Sequence, residues 1–200
     1  MIHIHEVTGS NPVEPTKIMT EKDILSLIEQ DPWMMDVLKT AENLNLPDWL
    51  IGAGFVRNKV WDYLHGINRN IVPTRDIDLA YFNPDNIDEQ ADDRLSKQLK
   101  KQTGIEWEIK NQAYTHKING LKPFASTEDA IAHWVETATA VGVRLQNGQL
   151  ELICPHGISD LVNLVLRPSP DVRGVKVRFR QRIKEKKWLE KWPKLEVVSN

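Results

Sequence analysis

Apolar residues recur at steps of three and four in some stretches of the chain and alternate with polar residues in others. The first pattern predicts helices and the second predicts half-buried strands. Near the start, Thr20 with Asp23 predicts the opening of one helix, and Asp31 before Pro32 predicts the opening of a second. The apolar face of that second helix carries Trp33, Val37, Leu38, Ala41 and Leu44.

A short apolar strand, residues 49–51, then runs into the turn Gly52-Ala53-Gly54 and a further helix. A strand, a glycine turn and a helix in this order point backbone N–H groups and a helix N-terminus at an anion. Glycine suits such a turn because a side chain would block the approach of a phosphate. Similar turns also join strands to helices without a ligand, so this motif alone is a weak signal.

Two aspartates open the next predicted strand, within the stretch PTRDIDLAYF at residues 73–82. Asp76 and Asp78 lie one residue apart, so their side chains share one face of the strand, with Cα atoms roughly 7 Å apart. A third strand, IEWEIK at residues 105–110, places Glu106 and Glu108 along one face. A single Asp-x-Asp is common at a solvated strand entry, whereas carboxylates on two strands are more informative.

The rest of the chain continues to alternate between helical and extended patterns. Its remaining predicted elements are a charged helix in residues 83–104 that ends at Gly104, a helix capped by Ser126 with Asp129, a hairpin around Asn147-Gly148, a short helix near residues 158–166 and a basic helix after Arg178.

The composition fits one globular unit without a membrane segment. Of the 200 residues, 40% are apolar, which is enough for a single core. We predict a flexible leader at residues 1–19 and one domain at residues 20–200 that ends in a basic helix. No run approaches the roughly 18 apolar residues of a membrane span, and the lone Cys154 cannot form an internal disulfide. We therefore expect a cytoplasmic protein.

Charge is unevenly distributed along the chain. Residues 173–194 contain ten basic and two acidic residues, so a segment of about +8 follows a body of about −10. Such a segment can meet an acidic face of its own protein or bind a polyanion, such as a nucleoside triphosphate or RNA. A solvated helix face is the simpler alternative.

Clustered carboxylates suit divalent cations. Two-metal phosphoryl-transfer sites hold their ions about 3.5–4 Å apart, and hard oxygen ligands favour Mg²⁺ or Mn²⁺. Without a metal, the mutual repulsion of such a cluster is costly.

The motifs GAGFVRN and DIDLAYF are similar to those of the DNA polymerase β nucleotidyltransferase superfamily, and the first resembles the Gly-Gly-x-Val-Arg-Asp of its tRNA CCA-adding branch. Over residues 33–195 the chain more closely resembles a family of small bacterial nucleotidyltransferase-like proteins. The resemblance implies an α/β (α+β) nucleotidyltransferase fold, a mixed β-sheet flanked by helices. It also implies that the protein uses an NTP and Mg²⁺ or Mn²⁺.

The resemblance also implies roles for particular residues. Asp76 and Asp78 would be catalytic metal ligands, and a third acidic residue on a later strand is Glu108 rather than Glu106, two residues that the sequence alone hardly separates. Gly52 and Gly54 would let the turn approach the triphosphate. Arg57 would pair with a phosphate or hold an aspartate in place.

Two departures from the family pattern bear on the substrate. Ala53-Gly54 stands where Gly-Ser is more common, so a phosphate-binding serine is missing, and Asn58 replaces the aspartate of the CCA-adding motif. The sequence has no long downstream RNA-binding region, which argues against transfer RNA as the acceptor. Arg144 and Asp160 are candidates for a base or acceptor pocket, with a strand-edge salt bridge and a helix cap as their structural alternatives.

The sequence thus predicts a metal-dependent nucleotidyltransferase that moves a nucleoside monophosphate to an unidentified hydroxyl acceptor. The alternatives are a catalytically silent nucleotide-binding module on the same fold, favoured by the missing serine, and an RNA-binding module that uses the basic C-terminal segment. The clustered carboxylates argue against a silent module, because repelling charges have little purpose without a metal.

Overall fold

The computed structural model describes residues 19–67, 76–170, 172 and 174–198. Its helices are α1 Glu21–Glu29, α2 Pro32–Glu42, α3 Gly54–Leu64, α4 Glu89–Thr103, α5 Gln112–Thr115, α6 Thr127–Ala132, α7 Ser159–Val162, α8 Val175–Lys186 and α9 Trp188–Lys191. Its strands are β1 Leu50–Gly52, β2 Ile77–Tyr81, β3 Trp107–Asn111, β4 Gly142–Gln146, β5 Gln149–Ile153, β6 Val165–Leu166 and β7 Glu196–Val197. Of the predicted leader, only Met19 falls within the described residues.

Five of the described strands form a mixed sheet in the order β3-β2-β1-β4-β5. β2 and β3 run parallel and are joined through α4, while the other pairs are antiparallel. A parallel pair needs such a crossover, which explains why a helix separates these two strands in sequence. The predicted mixed sheet flanked by helices is confirmed.

Local sequence signals account for several element ends. The Thr20–Asp23 capping box, the Asp31 N-cap before Pro32 and the left-handed C-cap at Gly104 are all present, as predicted. Asn147 and Gly148 both have positive φ, 53° and 76°, as a tight hairpin between β4 and β5 requires.

The short helix predicted near residues 158–166 is wrong in its extent. α7 ends at Val162, and Leu164 has a φ of 60° that breaks the helix. β6 follows and pairs in parallel with β7. The apolar residues of this segment therefore serve a strand as well as a helix, which their spacing does not distinguish.

A buried carboxylate ties α4 to the sheet. Asp92, only 2% exposed, accepts hydrogen bonds from the hydroxyls of Tyr81 and Tyr114, at 2.6 and 2.9 Å, and from the backbone N–H of Asn111 at 2.8 Å. Burial, together with the bond to Asp92, raises the pKa of both tyrosines well above the usual value. This network fixes the strand pair that carries the candidate site.

The basic C-terminal segment folds back onto the protein. Phe179, Trp188 and Trp192 are 1%, 1% and 3% exposed. The Trp61 ring of α3 contacts both tryptophans edge-on, with centroids 6.0 and 5.1 Å away. No helix in the described part of the chain is long and apolar enough to cross a membrane.

Candidate nucleotide and metal site

Three carboxylates meet where β2 begins beside β3. Asp76 immediately precedes β2, Asp78 lies in it, and Glu108 lies in β3. The parallel register places Asp78 directly beside Glu108. Ligand oxygens of the three residues all lie within 4.8 Å of one another, a separation at which carboxylates can share a cation.

The cluster carries negative charge that its cationic neighbours compensate only in part. Burial, and then the charges of Glu108 and Asp76, raise the pKa of Asp78 to about 7, while Arg57 and Lys186 lower it in part. A divalent cation would counteract this rise in the pKa of Asp78, because it favours the ionised form of each ligand. Hard oxygen donors with unmet charge fit Mg²⁺ or Mn²⁺.

Glu106 lies apart from the cluster. It precedes β3 and pairs with Lys100 of α4, and its side chain is 57% exposed. Because an ion pair already engages Glu106, the geometry favours Glu108 as the third carboxylate. The role of Asp76, Asp78 and Glu108 as metal ligands stays a prediction.

The glycine turn is strained at its central residue. Ala53 has φ 51° and ψ −119°, a conformation that a side chain disfavours. Its N–H donates to the carbonyl of Val141 at 2.9 Å, which holds the turn against the segment before β4. Ala53, the N-cap residue, makes no side-chain hydrogen bond that caps α3.

The two glycines of the turn have different surroundings. Gly54 begins α3 and lines the cavity, where an added Cβ would lie 3.2 Å from the Asn58 side chain. Gly52 lies at the end of β1 and is not part of the cavity lining; a Cβ there would lie 2.7 Å from the Trp134 ring. Packing against Trp134 is therefore a sufficient reason for Gly52, apart from the predicted approach of a triphosphate.

Arg57 is buried beneath the turn rather than extended into solvent. It is 5% exposed, and its Nη1 donates to Thr139 Oγ1 at 2.8 Å. Nη2 donates to Asn58 Oδ1 at 3.0 Å. The guanidinium also lies between the Trp61 and Trp188 rings, 5.1 and 4.7 Å from their centroids, an arrangement that favours a cation. Its charge reaches Asp78, whose pKa it lowers.

The carboxylates and the turn open into one cavity of about 1210 Å³. The acidic cluster lines this cavity, and so do three cationic side chains of α8: Arg178, Arg182 and Lys186. The aromatic side chains in the lining include Trp33, Phe124, His133 and Trp134. The cavity is large enough for a nucleotide and offers both polar and stacking surfaces.

Two residues that hydrogen-bond to arginines of the cavity lining have no signal in the sequence. Glu136 is fully buried and accepts hydrogen bonds from Arg182, and Thr139 accepts from Arg57. Both lie in the irregular segment between α6 and β4. The residues in each pair are 46 and 82 positions apart, so no local pattern could have connected them.

Arg144 and Asp160, the candidates for a base or acceptor pocket, lie outside the cavity lining. Arg144 on β4 forms ion pairs with Asp48 at 3.2 Å and Glu151 at 2.7 Å, which is the strand salt-bridge alternative. Asp160 accepts from Thr137 at 2.6 Å and from Arg167 at 3.0 Å. Both side chains thus have structural partners. The helix-cap alternative for Asp160 is wrong, because Asp160 lies inside α7 and the N-cap residue is Ile158.

Solved structures share the fold of this chain. A protein whose NMR structure is described as revealing a CCA-adding enzyme head domain matches with a TM-score of 0.81 and 31% identity, over 90% of this chain and 97% of that one. The Thermotoga maritima CCA-adding enzyme complexed with tRNA matches with a TM-score of 0.54 and 17% identity. A CCA-adding enzyme complexed with CTP matches with a TM-score of 0.55 and 17% identity.

The two CCA-adding enzymes show a likeness of fold only. This chain is covered over 88% of its length in both matches but spans only 42% and 43% of those enzymes. A comparison with curated proteins gave no match.

The mixed sheet flanked by helices matches the fold of a nucleotidyltransferase head domain. A sequence model of the nucleotidyltransferase family matches residues 39–197, most of the chain. The protein belongs to this nucleotidyltransferase family.

Proposed function

We propose that the protein transfers a nucleoside monophosphate from an NTP to a hydroxyl acceptor. The observation that carries this proposal is the convergence of Asp76, Asp78 and Glu108 within 4.8 Å, in the cavity that the glycine turn also lines. Family membership supports the use of an NTP. The CCA-adding enzyme complexed with CTP, and another structure of a CCA-adding enzyme complexed with ATP, make these two nucleotides the first donors to test.

The three carboxylates would hold Mg²⁺ or Mn²⁺. A divalent ion bound there would supply Lewis-acid activation of the attacking hydroxyl and neutralisation of charge on the departing pyrophosphate. The protein's own contribution is to fix the carboxylates on two paired strands, so that little reorganisation is needed when the nucleotide arrives.

The turn and α3 would position the phosphates. Gly54 has no side chain to obstruct the approach of an anion, and the N-terminus of an 11-residue helix favours negative charge. Arg57 lies one turn further along, held by Thr139 and the two tryptophan rings. We assign it to keeping Asp78 ionised and to attracting phosphate at short range.

The test is calorimetric titration of the four NTPs, with Mg²⁺ or Mn²⁺, into the parent protein and Asp78→Asn. Asp36→Asn is the matched control, because that side chain is 77% exposed and outside the cavity lining. We expect metal-dependent binding in the parent and control and its loss in Asp78→Asn. Equal binding in all three proteins would refute the metal site.

A second pair of variants tests the third carboxylate. Glu108→Gln should abolish transfer of label from an α-labelled NTP, whereas Glu106→Gln should not, because Glu106 pairs with Lys100. Small molecules, proteins and RNA serve as acceptor pools. NTP binding that depends on Asp78 but gives no transfer to any pool would favour the catalytically silent module instead.

A further inference from the structure

Helix α8 presents cations to the cavity at a regular spacing. Arg178, Arg182 and Lys186 are four residues apart and all three line the cavity. Residues at steps of four lie on one helix face, here over a length of about 12 Å. The acidic cluster lines the same cavity, and Lys186 is close enough to Asp78 to lower its pKa.

The helix is rigidly placed. Val175 and Phe179 are buried in the core, and Arg182 forms its two-point hydrogen bond with the fully buried Glu136. The guanidinium of Arg182 also lies 5.6 Å from the centroid of the Trp188 ring. α8 therefore fixes the backbone positions from which the exposed side chains of Arg178 and Lys186 extend before any ligand binds.

The positive charges of Arg178 and Lys186 are available to a ligand. Within the described ranges, neither residue forms an ion pair, whereas Arg182 is paired with Glu136. An acidic cluster alone would repel a nucleoside triphosphate, so the approach of this substrate needs positive charge nearby. Two unpaired cations that line the same cavity as the cluster supply it.

Resting on the proposed function, we propose that Arg178 and Lys186 bind the β- and γ-phosphates of the incoming nucleotide and so select a triphosphate over a monophosphate. Arg182 acts as a positioning residue, held by Glu136. The glycine turn and α8 then contact the polyphosphate from two sides. This role gives a purpose to the positive charge concentrated in residues 173–194.

Two double variants on the same helix test the proposal. Arg178→Gln with Lys186→Gln removes the cations that line the cavity, and Arg180→Gln with Lys184→Gln removes two exposed cations outside the lining. Both pairs change the net charge equally. The probes are inorganic triphosphate with Mg²⁺, ATP and AMP, titrated calorimetrically, with thermal unfolding recorded as a check on folding.

We expect the first variant to lose at least about tenfold in affinity for triphosphate and for ATP, since a hydrogen bond to a charged group contributes that much. Its affinity for AMP should stay within about twofold of the parent's, and the Arg180–Lys184 variant should bind all three probes like the parent. Unchanged triphosphate affinity, or equal losses in both variants, would overturn the proposal.

The outcome is separable from that of the proposed function. Loss of triphosphate binding only in the first variant supports the phosphate site even if no acceptor is ever labelled. Transfer that depends on Asp78 with an unchanged KM for ATP in the first variant leaves the function standing and removes the α8 site. If the first variant binds triphosphate normally but no longer binds an RNA oligonucleotide, this face of α8 is an RNA contact and the proposal is wrong.

Discussion

The carboxylate of Glu136 accepts two hydrogen bonds from the guanidinium of Arg182, at 2.8 Å from Nε and 3.3 Å from Nη2. Glu136 belongs to the segment between α6 and β4, and Arg182 to α8, so this pair joins the basic helix to the strand side of the cavity. A paired and hydrogen-bonded charge is tolerated in the interior, but an isolated one is not.

Replacing one partner of this pair should therefore destabilise the protein strongly. Glu136→Gln leaves Arg182 without a counter-charge and should lower the free energy of unfolding by about 3 kcal/mol. Urea denaturation measures the change. Glu190→Gln is the control, because Glu190 is 71% exposed and its nitrogen–oxygen distance to Lys187 is 3.9 Å. Equal stability of the two variants would show that the buried pair contributes little.

Asp78 should make the metal-free protein less stable at higher pH. Its pKa is about 7 in the folded protein and 3.8 as the ordinary value, so folding favours its protonated form. Stability is therefore greatest below about pH 4 for this group and decreases as the pH rises to 7. At pH 8 in EDTA, Asp78→Asn should be more stable than the parent by about 2 kcal/mol in the free energy of unfolding, and should unfold at a higher temperature. The stability difference between the two proteins should be smaller at pH 5.

Saturating Mg²⁺ should stabilise the parent at pH 8 and leave Asp78→Asn nearly unchanged. Differential scanning calorimetry at the two pH values, with and without the metal, gives all the comparisons. A pH-independent difference between the two proteins would contradict the assigned charge repulsion.

The Asp92 network should depend on the carboxylate rather than on side-chain size. Asp92→Asn replaces one acceptor oxygen with an N–H₂ group, which then faces hydrogen-bond donors. These donors are two tyrosine hydroxyls and the N–H of Asn111. The substitution should lower the free energy of unfolding by about 2–3 kcal/mol. Asp93→Asn, an exposed neighbour on α4, serves as the control in chemical denaturation. An equal loss of stability in Asp92→Asn and Asp93→Asn would indicate an effect of helix propensity instead.

Ala53→Gly should stabilise the protein despite the loss of a methyl group. The positive φ of Ala53 costs of order 1 kcal/mol or more, which glycine relieves. The same substitution at Ala91, in the right-handed helix α4, should instead destabilise by about 1 kcal/mol. Thermal unfolding of the two variants should therefore shift in opposite directions.

Much of the fold follows from short-range signals in the sequence. The Thr20 capping box, the Asn147-Gly148 hairpin and the alternation around Glu108 each involve residues a few positions apart, and local chemistry determines them. The Asp76–Asp78 pair could be predicted to share one face of a strand for the same reason. The sequence also predicts that Glu108 lies on a different strand from the two aspartates.

The features that the sequence does not predict depend on contacts between distant segments. Neither the burial of Arg57 between two tryptophans nor the Glu136–Arg182 pair has a sequence signature, because each needs the chain to fold back from its C-terminal part. The preference for Glu108 over Glu106 likewise rests on the parallel register of β2 and β3, which places Glu108 beside Asp78. Leu164 ends a helix through its backbone conformation, which apolar spacing does not predict.

The indole rings around Arg57 also make the protein its own optical reporter. Trp61 contacts Trp188 and Trp192, and the last two line the cavity next to the cationic face of α8. A polyphosphate that enters the cavity changes the electric field at these rings. The intrinsic fluorescence of the unlabelled protein should therefore follow nucleotide binding in real time.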